Sequence, residues 1–137
     1  MKRRILLVLT IAMISSVGMA QHHHPDRGGR DRGRRPPRIE CATSEQIGMT
    51  LQVLNNQPFD DKKLEIAKLC VVLTRFCTND LGRMAATFSF DDNRTKFLIF
   101  AYDYCEDPEN YPSLYDVFEF RNNYDQMIET LYSRKRR

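Results

Sequence analysis

Histidine is missing from everything after residue 24; the chain has three, His22, His23 and His24, in a single run. Residues 25–137 therefore lack the commonest general base and the usual activator of serine and cysteine nucleophiles. Tryptophan is absent altogether, and no aromatic residue is interleaved with the arginines of residues 27–38. The stacking half of single-strand nucleic-acid recognition is thus missing. The leading apolar run, Ile5 to Val17, is thirteen residues long, short of the ~20 a membrane-crossing helix needs. None of the four cysteines forms a Cys-x-x-Cys pair, the close spacing most structural zinc sites use. The acidic loop from Asp103 to Glu109 lacks the alternating ligands and central glycine of an EF-hand, which argues for a solvated turn over a calcium site.

What is present begins with an export signal. Lys2, Arg3 and Arg4 precede the apolar run, and the small residues Gly18 and Ala20 come after it. That order is the signature of a cleaved secretory leader. Cleavage between Ala20 and Gln21 is expected, with no cysteine beside it to accept a lipid. The leader holds three of the 21 basic residues and none of the 18 acidic ones, so the mature chain is formally neutral. Its charges are segregated: residues 41–133 carry eight basic and fifteen acidic side chains, between a basic lead-in and the terminal run Arg134 to Arg137.

Residues 21–40 are read as a disordered linker, because up to Arg38 they offer no apolar side chain larger than proline to offset the entropy of ordering. Two binding readings attach to it. Arg27, Arg30, Arg32, Arg34, Arg35 and Arg38 suit a polyanion, and His22, His23 and His24 are weak ligands for a transition metal. A solvated linker with no partner is the simpler reading of both.

From Cys41 onward the pattern is helical. Thr43 and Gln46 have capping-box spacing before Ile47, Leu51 and Leu54. Asp60 and Asp91 are placed to cap a second and a fourth helix; Thr78 or Asn79 is expected to cap a third. The fourth, through Phe97 to Tyr102, is apolar nearly all round and is expected at the centre. A short segment from Pro112 and a last helix capped by Asn122 or Asn123 complete about six. Phe59-Asp60-Asp61, Phe90-Asp91-Asp92 and Phe120-Arg121-Asn122 head three segments offset by 31 and 30 residues, and Ile66, Phe97 and Met127 superpose in that register. So do Ala67, Leu98 and Ile128, and Cys70, Ala101 and Leu131. The expectation is one all-α domain over residues 41–133, made of stacked helix-pair repeats of about 30 residues, with residues 134–137 as a basic tail.

Cys41, Cys70, Cys77 and Cys105 in an exported chain favour disulfides. Helices running up and down would bring all four to one end of the stack. Neighbour contacts then favour Cys41 with Cys70 and Cys77 with Cys105, although Cys70 lies on an apolar face where it can equally stay a buried thiol.

The run Gln57-Pro58-Phe59-Asp60-Asp61, then Cys77-Thr78, Phe88-Ser89-Phe90-Asp91-Asp92, Ala101-Tyr102 and Val117-Phe118-Glu119-Phe120 resembles the bacterial "domain of unknown function 4476" family. The resemblance spans about residues 41–132. It implies an exported bacterial protein with its domain behind a variable linker, and it supplies no catalytic or ligand residues. Cys105 departs from the pattern. With no cofactor motif and no coherent catalytic set, the expected function is a non-enzymatic interaction module of the cell envelope, acting on a protein or peptide; the alternative is polyanion or metal binding through the linker.

Overall fold

The structure, a computed structural model, describes residues 39–137. The cleavage site at Ala20 and Gln21, the linker arginines from Arg27 to Arg38, and His22 to His24 lie outside the described residues. The described chain forms five α-helices: α1 (Ser44–Asn55), α2 (Asp60–Leu73), α3 (Thr78–Ala85), α4 (Asp91–Ala101) and α5 (Arg121–Lys135). Two 3₁₀ segments, Tyr102–Tyr104 and Pro108–Val117, join α4 to α5. Among the described residues there is no strand, only one parallel bridge between Phe76 and Cys105. The fold is all-α.

The elements lie in two rows. α1, α3 and the segment Pro108–Val117 are successive neighbours in one row, and α2, α4 and α5 in the other. Across the rows α1 packs on α2, α3 on α4, and Pro108–Val117 on α5. Burial matches this order. α2 buries Lys63, Ala67 and Val71, one face at a spacing of four. α5 buries Met127 and Leu131. α4 lies between them and buries the counterparts of both faces: Arg94 and Leu98 on one side, Phe97 and Ala101 on the other. It is the central helix, and Phe97, Leu98 and Ala101 are fully enclosed. Their burial is each worth about 1–3 kcal/mol for the larger side chains. Gly82 lets the first row close up, since a Cβ there would stand 3.0 Å from the Leu114 side chain.

Several boundaries differ from the sequence expectation, each for a local reason. The segment expected from Pro112 begins at Pro108 and is 3₁₀ rather than α. Pro112 has no amide to return to the carbonyl four residues back, so tighter turns take over. α3 starts at Thr78 with Cys77 as its N-cap, and α5 starts at Arg121 with Phe120 as its N-cap. α5 also runs on through Arg134 and Lys135, which removes them from the expected tail; cations suit the negative end of a helix.

Capping is divided in the same way. Thr43 caps α1 as expected: its hydroxyl accepts from the Gln46 amide at 3.2 Å, and the Gln46 side chain accepts from the Thr43 amide at 2.8 Å. Asp60 and Asp91 are corrections. Each is the first residue of its helix, behind a phenylalanine N-cap with no capping side chain, and each reaches forward to the next helix of the row. One Asp60 oxygen accepts from the amides of Ser89 and Phe90 at 2.9 and 3.2 Å. Asp91 accepts from the amides of Glu119 and Phe120 at 3.2 and 2.7 Å. Arg94 completes the second arrangement. Its guanidinium meets Asp91 at 2.8 Å and donates to the Phe88 carbonyl at 2.9 Å and the Val117 carbonyl at 3.0 Å. Lys63 stands in the same position of the first, donating to the Thr87 carbonyl with Asp60 at 3.8 Å.

Asp91→Ala leaves the Glu119 and Phe120 amides without their acceptor and leaves the buried Arg94 with only the exposed Glu119, at 3.3 Å, as counter-charge. It is expected to cost about 3–5 kcal/mol in urea unfolding. Asp60→Ala, whose partner Lys63 keeps its carbonyl, is expected to cost about 1–3 kcal/mol.

Candidate functional site

At the end of the stack opposite Asp60 and Asp91, the first row is tied together by the cysteines. Cys41, just before α1, is bonded to Cys77, the N-cap of α3, with Cα atoms 5.4 Å apart. Cys70 and Cys105 are free. The expected pairing of Cys41 with Cys70 and Cys77 with Cys105 is therefore corrected. Cys70 lines a groove with Gln46, Met49, Thr50 and Val53 of α1 and with Thr74. Cys105 bridges Phe76 and has its sulfur 3.4 Å from the Thr78 hydroxyl. Cys77, extended between the bridged Phe76 and the start of α3 at Thr78, is bonded to Cys41 ahead of α1. The disulfide links neighbours in a row, not the two members of a pair.

Asp107 makes the matching tie between α3 and Pro108–Val117. Its carboxylate accepts from the Thr78 amide and, at 2.8 Å, from the Asn110 side chain, and its carbonyl accepts from the Thr78 hydroxyl at 2.9 Å. Burial works to raise this carboxyl, but the hydrogen bonds from Asn110, Thr78 and Cys105 outweigh it and hold the group below its ordinary range. Cys105 sits beside it at 3.4 Å. Burial is the main force pushing that thiol up to about 11, and burial also raises Cys70. Both thiols are protonated at neutral pH, so neither is an activated nucleophile.

Two open clefts flank Leu73-Thr74-Arg75, one against Asp103 to Glu106 and the other against Glu40 to Thr43. They adjoin the outer face of the first pair, where Met49, Val53, Leu69, Val72 and Leu73 are all at least 45 % exposed. This apolar surface is the feature that sequence reasoning missed. The signal for it was available in α2, whose second half, Leu69 to Leu73, is apolar on every side. Among the described residues no group of three or more histidine, cysteine, aspartate or glutamate side chains is arranged to hold a metal, and no helix is long and apolar enough to cross a membrane.

The paired helices and their fixed ends define an all-α domain. Its family model, Domain of unknown function (DUF4476), matches residues 41–131, and the chain belongs to that family. No curated protein and no solved structure matches the chain.

Two outcomes are expected of the cysteine end. Unfolding in denaturant without reductant should expose two titratable thiols, and Cys77→Ser should cost ~4 kcal/mol, the loop-closure value for a separation of 36 residues. For Asp107 the folded pKa is depressed, so its contribution is complete above the unfolded value near ~3.9 and drains as pH falls through the lower folded value. Asp107→Asn should lower stability at neutral pH and flatten the acid limb of a stability–pH curve below pH ~4.

Proposed function

We propose that this domain is a non-enzymatic protein-interaction module of the bacterial cell envelope, three stacked helix pairs that bind an apolar peptide segment of an envelope protein. The observation that carries the reading is the outer face of the first pair. In a stack of pairs each internal face is covered by a neighbour, and a terminal pair ordinarily turns a polar surface outward. Here the terminal pair exposes Met49, Val53, Leu69, Val72 and Leu73 together. Contiguous apolar surface of this kind marks interaction sites. The repeat reading is supported by the recurring Asp60/Lys63 and Asp91/Arg94 contacts and by the way α4 buries both faces that α2 and α5 bury singly. The envelope reading is supported by the leader pattern in residues 1–20 and by the Cys41–Cys77 disulfide.

Photo-crosslinking residues placed at Met49 or Leu73 in cells producing the chain should yield discrete adducts with an envelope protein. The same group at Glu129, exposed on α5, should yield none. Absence of adducts at positions 49 and 73, or equal labelling at all three, would contradict the proposal.

A further inference from the structure

The helices α2, α4 and α5 start from phenylalanine N-caps of the same backbone form, Phe59, Phe90 and Phe120. Counted from those caps, the seventh and eleventh residues are Phe97 and Ala101 in α4 and Met127 and Leu131 in α5, none more than 7 % exposed. In α2 they are Ile66 and Cys70, and both are only half-buried. The tenth and fourteenth residues of α2, Leu69 and Leu73, are 57 % and 73 % exposed. In α4 this side is covered by α2, whose Lys68 stands 5.3 Å over the Phe100 ring and whose Asp60 accepts from the Asn93 side chain at 3.3 Å. In α5 it is covered by α4. On α2, among the described residues, no helix of the same row lies against it.

The uncovered side opens on a groove of about 320 Å³ between α1 and α2, lined by Gln46, Met49, Thr50, Val53, Cys70 and Thr74. No charged side chain lines it, so shape and apolar contact select what enters. An occupant must also satisfy its own backbone, and Gln46 and Thr50 are already engaged within α1 and its cap. An extended segment would therefore leave a row of amides and carbonyls unpaired, whereas a helix pairs them internally. The last pair of a second copy is a poor occupant. Where α2 and α4 carry Leu64 and Thr95, and Lys68 and Ile99, to meet the next helix, α5 carries the exposed Asp125 and Glu129, and burying those carboxylates on Leu69 would be costly.

We propose that the outer side of α2 receives an amphipathic helix of a partner protein, laid parallel to α2 in the place that α2 itself takes on α4. This partner geometry rests on the reading of the same face as the interaction site, and it specifies the form of the partner: an apolar stripe at i, i+3 or i+4, and i+7. Leu64, Ala67 and Val71 of α2 have that spacing. Ile66 and Leu69 are smaller than their counterparts Phe97 and Phe100, so the middle residue of the partner stripe is larger than Ala67 and of leucine size. Pro58 stands where Ser89 donates its amide to Asp60. Proline has no amide to donate, so the partner helix needs no leading aspartate.

The probe is a peptide of residues 60–74 carrying Ala67→Leu and Cys70→Ala, stapled through positions 65 and 69 because a helix of this length is marginal alone. Cys70 and Cys105 are free, and they line separate clefts, so iodoacetamide labelling read by mass spectrometry reports occupancy with a built-in control. With probe at about ten times its Kd, labelling of Cys70 should slow about tenfold, the factor 1 + [L]/Kd, and Cys105 should be unaffected. A probe with Leu64→Asp and Val71→Asp should give no protection. Met49→Glu or Val53→Glu in the chain, both at exposed positions, should abolish it with an unchanged thermal midpoint. Unchanged labelling of Cys70, equal slowing of both thiols, or protection by the altered probe would overturn the proposal. So would protection that sets in with chain concentration alone, which would make a second copy the occupant. Photo-crosslinks from Met49 and Leu73 to an envelope protein, without protection by the stapled helix, would refute the helical form and leave the face as the interaction site; absence of both would refute both.

Discussion

The start of each helix beyond the first pair is held by a group from a neighbouring pair, and the rest of the domain depends on that arrangement. Asp60 holds the approach to α4 and Asp91 the approach to α5, at one end of the stack. At the other end the disulfide from Cys41 and the hydrogen bonds from Asp107 hold the start of α3. Short helices are marginal by themselves, and the eight residues of α3 would not persist without these ties. The amides at and just before the N-caps of α4 and α5 become bonds between pairs. Local and tertiary structure are thereby the same interactions.

This explains why the third head sequence departs from the first two. Phe120-Arg121-Asn122 has no aspartate where Asp60 and Asp91 stand. Arg121 takes that position and lies 3.6 Å from Asp125 of its own helix instead of reaching forward. The same reasoning accounts for Tyr124 in the position of Lys63 and Arg94. Those cations pair with the aspartate and donate to the Thr87 and Val117 carbonyls of the next turn, and without either a buried charge would be costly. Tyr124 instead donates its hydroxyl to the Pro112 carbonyl and packs edge-on to Tyr115.

Much of the all-α architecture was legible in the sequence, because helical periodicity is carried by residues that face the core. Ile47, Leu54, Phe97, Leu98 and Met127 were readable in this way, and so was the capping box of Thr43. The misplaced roles were those decided between helices. Asp60 and Asp91 at a helix start look like caps of that helix, and nothing local distinguishes a carboxylate that reaches 29 residues forward. The cysteines failed for a related reason: the pairing is decided between neighbours of the first row, where Cys41 ahead of α1 meets Cys77 at the start of α3, and nothing local to either residue shows that contact. The apolar outer face was obscured because Leu69, Val72 and Leu73 read equally well as core.

Hydrogen exchange at the three phenylalanine amides tests the forward-capping arrangement most directly. Phe59, Phe90 and Phe120 have the same N-cap position, similar backbone angles and similar side-chain exposure, but only the amides of Phe90 and Phe120 are bonded to a carboxylate of the preceding helix. The amides of Phe90 and Phe120 should therefore be protected and that of Phe59 should exchange freely. Equal exchange at all three would contradict the account.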